Sequence, residues 1–258
     1  MVNRRKFMRY AQAGLIAGLS TGLVSKWQQP SQAATSLSIR WLGHTCFLFT
    51  GGGQTVLVNP FRPVGCTANY RAPNVSANLV MISSRLLDEG VVEGLKGKPK
   101  LLFEPGSYKT NGLAIQGIRT LHDRVGGYRF GTNVAWKWQQ AGVKVLHLGG
   151  IASPIDDELK ILMGTPDVLL IPVGGSDKAY TPEEAKVAIA TLQPKQVIPT
   201  HYQISSTKTE VCKLQPIEDF LTVMQGSTIR RTGGSTISVK PGVNSNSAGP
   251  IIDVLSYS

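Results

Sequence analysis

Leu37-Ser38-Ile39-Arg40-Trp41-Leu42-Gly43-His44-Thr45-Cys46-Phe47-Leu48-Phe49-Thr50-Gly51-Gly52-Gly53-Gln54-Thr55-Val56-Leu57-Val58 reads as three short strands in a meander. Residues 37–42, 46–50 and 54–58 are brief apolar runs, and the glycines at 51–53 supply a tight hairpin turn. Asn59-Pro60 ends the third run, and a loop bearing Pro, Gly and Asn follows to about residue 78. Residues 79–82, Leu-Val-Met-Ile, form a wholly apolar strand of the buried kind. The polar segment after it, to about Gly94, predicts the start of a helix. A second strand set covers 100–103, 113–121, 134–139 and 143–148.

Beyond residue 150 the pattern becomes βαβ-like. Ser153-Pro154-Ile155-Asp156 predicts a short helix with Ser153 as cap and Pro154 at its first position. An apolar strand covers 168–171. Thr181-Pro182-Glu183-Glu184 is a capping box opening a helix to Leu192. A buried strand at 196–199, a helix at 216–224 and a strand at 235–239 complete the series. Meanders followed by interleaved helices predict an α/β fold, an αββα sandwich of two sheets flanked by helices. No repeat or linker divides it, so one domain is expected over 35–240. Residues 241–258, Gly- and Asn-rich at their start, read as a C-terminal tail.

The chain has 258 residues, of which 41% are hydrophobic and 17% charged, enough apolar material for a sizeable core. Its formal charge of +11 is unevenly spread. Arg4, Arg5, Lys6, Arg9 and Lys26 lie in the first 34 residues, which contain no acid. The remainder carries 22 basic and 16 acidic residues, a scattered +6. No basic stripe with interleaved aromatics occurs, which argues against nucleic acid as a partner. Residues 1–34 read as a twin-arginine signal segment. Asn3-Arg4-Arg5-Lys6-Phe7-Met8-Arg9 carries the arginine pair, residues 11–24 a short apolar run, and Ser31-Gln32-Ala33 a cleavage site. The expected locations are a periplasm or a thylakoid lumen, with membrane attachment only through an uncleaved signal segment. Of the three cysteines, Cys46, Cys66 and Cys212, at least one must be free of any intramolecular disulfide. Cys46, in an apolar strand, reads as a small buried hydrophobe.

Five segments carry a resemblance. Trp41 to Phe47 resembles the opening of metallo-β-lactamase-fold hydrolases, in the branch of ascorbate-phosphate-lactonase-like proteins. Val56 to Phe61 is similar to their next strand, with Asn59 where Asp is usual. Leu121-His122-Asp123, with Gly126, Gly127 and Asn133, resembles their third-ligand segment. His147-Leu148-Gly149-Gly150 resembles their His-Leu-Gly-Asp turn. Tyr180 to Tyr202 resembles their last helix and terminal histidine. The resemblance spans roughly residues 37–202, in order.

It implies a pair of divalent metals held by His-x-His-x-Asp-His, a further His, a bridging Asp and a final His, together activating a water. This chain departs from that pattern. Ser83-Ser84-Arg85-Leu86-Leu87-Asp88-Glu89 puts Ser84 and Leu86 in place of the first two histidines and Glu89 in place of the last. Gly150 replaces the bridging Asp. The first metal site keeps His122 alone. The second keeps Asp88 and His201, with Glu89 as a possible substitute, a set suited to at most one Zn²⁺, Mn²⁺ or Fe²⁺. His44 is a structural or binding histidine at a strand end, and His147 a satisfied core or rim histidine. Arg85 is placed at the mouth of the site, to bind an anion or pair with Asp88; a plain surface arginine is the alternative. Asp123-Arg124 reads as a solvated pair. Asp88, Glu89, His122 and His201 are expected to converge at one rim, with Arg85 beside them and a gap at Gly150.

No catalytic residue is assigned. The expectation is a non-catalytic or vestigial binding protein for a small anionic ligand or a partner protein. The alternative is a mono-metal hydrolase of a phosphoester, lactone or amide.

Overall fold

The structure, a computed structural model, describes residues 36–204, 212–242 and 249–257. The signal segment therefore lies outside the described residues. Strands β1 (Leu37–Gly43), β2 (Cys46–Gly51) and β3 (Gln54–Val58) form the expected antiparallel meander. Gly52 and Gly53 turn its hairpin at φ 58° and 74°, left-handed values that suit glycine. β1 buries Leu37, Ile39, Trp41 and Gly43 on alternate positions, as a half-buried strand must. β4 (Leu79–Met81) and β5 (Lys100–Leu102) then add in parallel.

The second sheet begins with the antiparallel β6 (Gly106–Thr110), β7 (Leu113–Leu121), β8 (Thr132–Gln140) and β9 (Val143–His147). It continues in parallel through β10 (Val168–Pro172) and β11 (Gln196–Thr200), both buried at every position. Strands buried at every position need cover on both faces. The first sheet covers one face: Phe49 meets Trp138 edge-on at 4.9 Å, and the Trp136 indole donates to the Ile82 carbonyl at 3.2 Å. The helices α1 (Asp157–Met163), α2 (Pro182–Leu192) and α3 (Ile217–Val223) are the crossovers of this sheet, and α2 touches both of the others. The α/β sandwich expected from the sequence is the fold.

Four local expectations need correction. Residues 83–99 form turns rather than a helix, because Asp88 and Glu89 are drawn toward partners far along the chain. The cap of α1 is Asp156, which accepts from the Leu159 amide at 2.8 Å; Ser153 Oγ instead accepts from the Leu121 amide. β6 and β12 (Thr228–Arg231) were not anticipated, since both are polar and largely exposed. Residues 241–258 are not merely a tail. β14 (Ile251–Val254) sits between β12 and β11 with Ile252 fully buried, while β13 (Thr236–Val239) joins β1 in the other sheet. The Gly- and Asn-rich composition just before β14 concealed this short apolar run.

Candidate metal centre

Each residue singled out as a ligand lies at or beyond a strand end. His44 is in the turn between β1 and β2, Asp88 and Glu89 follow β4, His122 follows β7 and His201 follows β11. His44 and His201 adopt left-handed backbone at φ 52° and 53°. Non-glycine residues seldom do so, and such geometry concentrates at functional sites.

The expected four-residue convergence is divided in two. Asp88 and His201 meet His44, and one ligand atom from each of these three lies within 4.8 Å of the others. His44 Nε2 stands 3.8 Å from Asp88 Oδ2, and the two imidazole centroids are 4.0 Å apart. Glu89 does not join them. Its Oε1 meets His122 Nε2 at 2.5 Å and accepts from Ser84 Oγ at 2.7 Å, with both Glu89 and His122 fully buried. That contact engages His122 Nε2 with Glu89 Oε1, so while the pair is intact this nitrogen offers no free lone pair to an ion.

Electrostatics follow this division. Burial works against the Glu89 carboxylate, but the charge and hydrogen bond of His122 outweigh it and hold the pKa below the usual range. Burial likewise works against a charged His122, yet Glu89 raises its pKa. The two form a buried ion pair. At Asp88 burial is outweighed by the facing His44 and the Lys178 ammonium, which hold the carboxyl well below its ordinary value. Lys178 Nζ bonds Asp88 Oδ2 directly. Burial, with the charges of His44 and Lys178, pushes His201 well below its ordinary pKa and keeps it neutral.

The remaining expectations divide as well. Arg85 is not beside the carboxylates: its guanidinium lies over the Phe103 ring at 4.8 Å, in a neighbouring cavity with Arg119 and Glu104. Lys178, in the polar loop after β10, takes the role expected of it. No feature of that loop's sequence points to the role. Gly150 opens no gap, since a Cβ there would stand 2.3 Å from the His122 ring. Asp123 and Arg124 are not a solvated pair. Asp123 is buried and accepts from the amides of Val125, Gly127, Arg129 and Phe130, while Arg124 binds Glu184 and the carbonyls of Ser176 and Ala179. Burial would raise the Asp123 pKa, but those four amides bring it to about 2.

His147 is the satisfied core histidine expected. Its Nε2 donates to the Thr45 carbonyl at 3.0 Å and its Nδ1 accepts from the Gly149 amide at 3.1 Å. Cys46 is buried and free, and Cys66 is joined to Cys212. Asp88, Lys178 and His201 open into a cleft of about 450 Å³ that Ser176, Lys213 and Cys66 also line.

Two sheets with ligand-type side chains gathered at their strand ends define the class, and similarity to known proteins agrees. The family model of the beta-lactamase superfamily domain matches residues 38–201. A UPF0173 metal-dependent hydrolase of Methanoculleus marisnigri is 27% identical over 80% of this chain and 98% of its own length. One from Methanoregula boonei is 30% identical over 64% of this chain and 82% of its own. A solved structure from Thermotoga maritima, of the metallo-β-lactamase superfamily, is 29% identical with a TM-score of 0.67, covering 85% of this chain and 98% of that one. The chain belongs to the metallo-β-lactamase superfamily.

Proposed function

We propose that this chain is an exported binding protein on the metallo-β-lactamase scaffold, taking a small anion in its cleft rather than performing two-metal hydrolysis. The direct Glu89–His122 pair at 2.5 Å carries this reading, because it occupies ligand positions that a two-metal centre needs free. Ser84, Leu86 and Gly150 supply no carboxylate or imidazole to replace them. Lys178 and Lys213 give the cleft cationic groups suited to an anionic ligand. The Cys66–Cys212 disulfide is in keeping with an oxidising compartment and so with twin-arginine export.

A second reading, a mono-metal hydrolase, draws on the convergence of His44, Asp88 and His201 and on the hydrolase names of the relatives. A hydrolysis assay separates the two. Mature protein supplied with Zn²⁺ or Mn²⁺ should leave p-nitrophenyl phosphate and p-nitrophenyl acetate at background rates. Metal-dependent turnover that disappears in Asp88→Asn would overturn the binding-protein reading.

A further inference from the structure

Two guanidinium groups line one cavity with no anion to pair with. The cavity, of about 640 Å³, lies at the edge of the sandwich, where the six-stranded sheet ends at β5. Arg85 lines it from the turns after β4, and Arg119 from β7. The backbone places both. The Val134 amide donates to the Ser83 carbonyl at 2.8 Å, two residues before Arg85, and Val134 is the ladder partner of Arg119. Glu104 lines the same cavity, yet neither arginine forms an ion pair or a side-chain hydrogen bond among the described residues. Elsewhere Arg124 is paired with Glu184, Arg129 with Asp177 and Arg230 with Asp253. Arg85 instead lies over the Phe103 ring at 4.8 Å, a contact that engages none of its N–H donors in a hydrogen bond.

We propose that this cavity binds an organic monocarboxylate with a compact apolar body. Its carboxylate sits between Arg85 and Arg119, and its body lies against Leu86, Phe103 and Phe130. A guanidinium fork matches a carboxylate with two parallel charge-assisted hydrogen bonds. Apolar walls with a few polar groups that fix orientation are the usual build of a small-molecule cavity, and the volume falls in the usual range of about 300–1,000 Å³. The charge balance selects the anion. Two arginines and one glutamate leave a single positive charge, which one carboxylate neutralises and a phosphate dianion exceeds. The site is separate from the lysine-lined cleft, because Leu86 and Phe130 line both cavities and so stand between them. It therefore holds or falls independently of the anion proposed for that cleft.

Purified full-length protein is titrated calorimetrically with benzoate, acetate, inorganic phosphate and benzyl alcohol. Benzoate should bind at the arginines at least about tenfold more tightly than any of the other three. Arg85→Met and Arg119→Met should each weaken benzoate by at least about tenfold. The thermal midpoint should stay near that of the parent, since both side chains are exposed and unpaired. Glu104→Gln should tighten benzoate and narrow its advantage over phosphate, because a repelling carboxylate is gone. Lys213→Met, in the neighbouring cleft, should leave benzoate affinity within about twofold of the parent. No benzoate binding up to about 10 mM overturns the inference, as does unchanged affinity in either arginine variant. Acetate or phosphate held at these arginines as tightly as benzoate overturns the ligand class and the inference with it. Benzoate lost in Lys213→Met and kept in both arginine variants overturns this site and leaves the binding-protein reading standing.

Discussion

Glu89 and His122 are both fully buried and joined directly, Oε1 to Nε2, at 2.5 Å. Separately, each would be an expensive buried group. Together they satisfy each other, and Ser84 supplies a further bond to the carboxylate. His147, at the end of β9, shows the opposite solution. Burial lowers its pKa from 6.5 to about 4, so the folded protein keeps it neutral. The unfolded chain accepts a proton there that the fold refuses. Stability from this residue is therefore full above about pH 6.5 and declines as pH falls toward 4. Across the whole interval the loss is about 3 kcal/mol. Urea denaturation at pH 7 and pH 4.5 measures it, and His147→Gln should show a clearly smaller difference between the two. An identical pH difference in the variant would exclude His147 as the source.

At the scale of elements, local signals succeed where their partners are close in sequence. The capping box of α2 is one case. Thr181 Oγ1 accepts from the Glu184 amide and Glu184 accepts from the Thr181 amide, as residues 181–184 alone predict. The loop of residues 124–131 shows the contrast. Its order depends on Asp123, whose two carboxylate oxygens share four amides, an arrangement that its sequence neighbours do not announce. Asp123→Asn retains only one strong acceptor oxygen. Amide exchange at Val125, Gly127, Arg129 and Phe130 should speed up together, while that of β7 and β8 stays slow. Unchanged protection at those four amides would show that the carboxylate does not organise the loop.

Over the whole molecule, two long-range ties join distant parts of the chain. β14, from the far end of the chain, inserts between β12 and β11 of the eight-stranded sheet. The Cys66–Cys212 disulfide links positions 146 residues apart beside the cleft. Closing so long a loop restricts the unfolded chain strongly, and removal of such a bond costs about 2–5 kcal/mol. The double variant Cys66→Ser, Cys212→Ser should therefore lose stability in guanidinium denaturation by that order, with Cys46 remaining buried and unreactive. Equal midpoints for parent and variant would deny the disulfide a stabilising role.

By itself the sequence determined the sandwich, the meander at 37–58, the capped helix at 182–192 and a satisfied core or rim role for His147. Each of these depends on periodicity or on residues near one another in the chain. Set beside the family it resembles, the sequence departs from the two-metal pattern at Ser84, Leu86, Glu89 and Gly150. Only the tertiary structure decided where the surviving groups point. Glu89 turned to His122 across 33 residues, Lys178 reached Asp88 across 90, and Arg85 lay on Phe103. Spacing along the chain does not specify such pairings, because strand ends from two packed sheets bring those side chains together. His44 joins Asp88 and His201 for the same reason: the turn that carries it belongs to one sheet, and the strand end that carries His201 to the other.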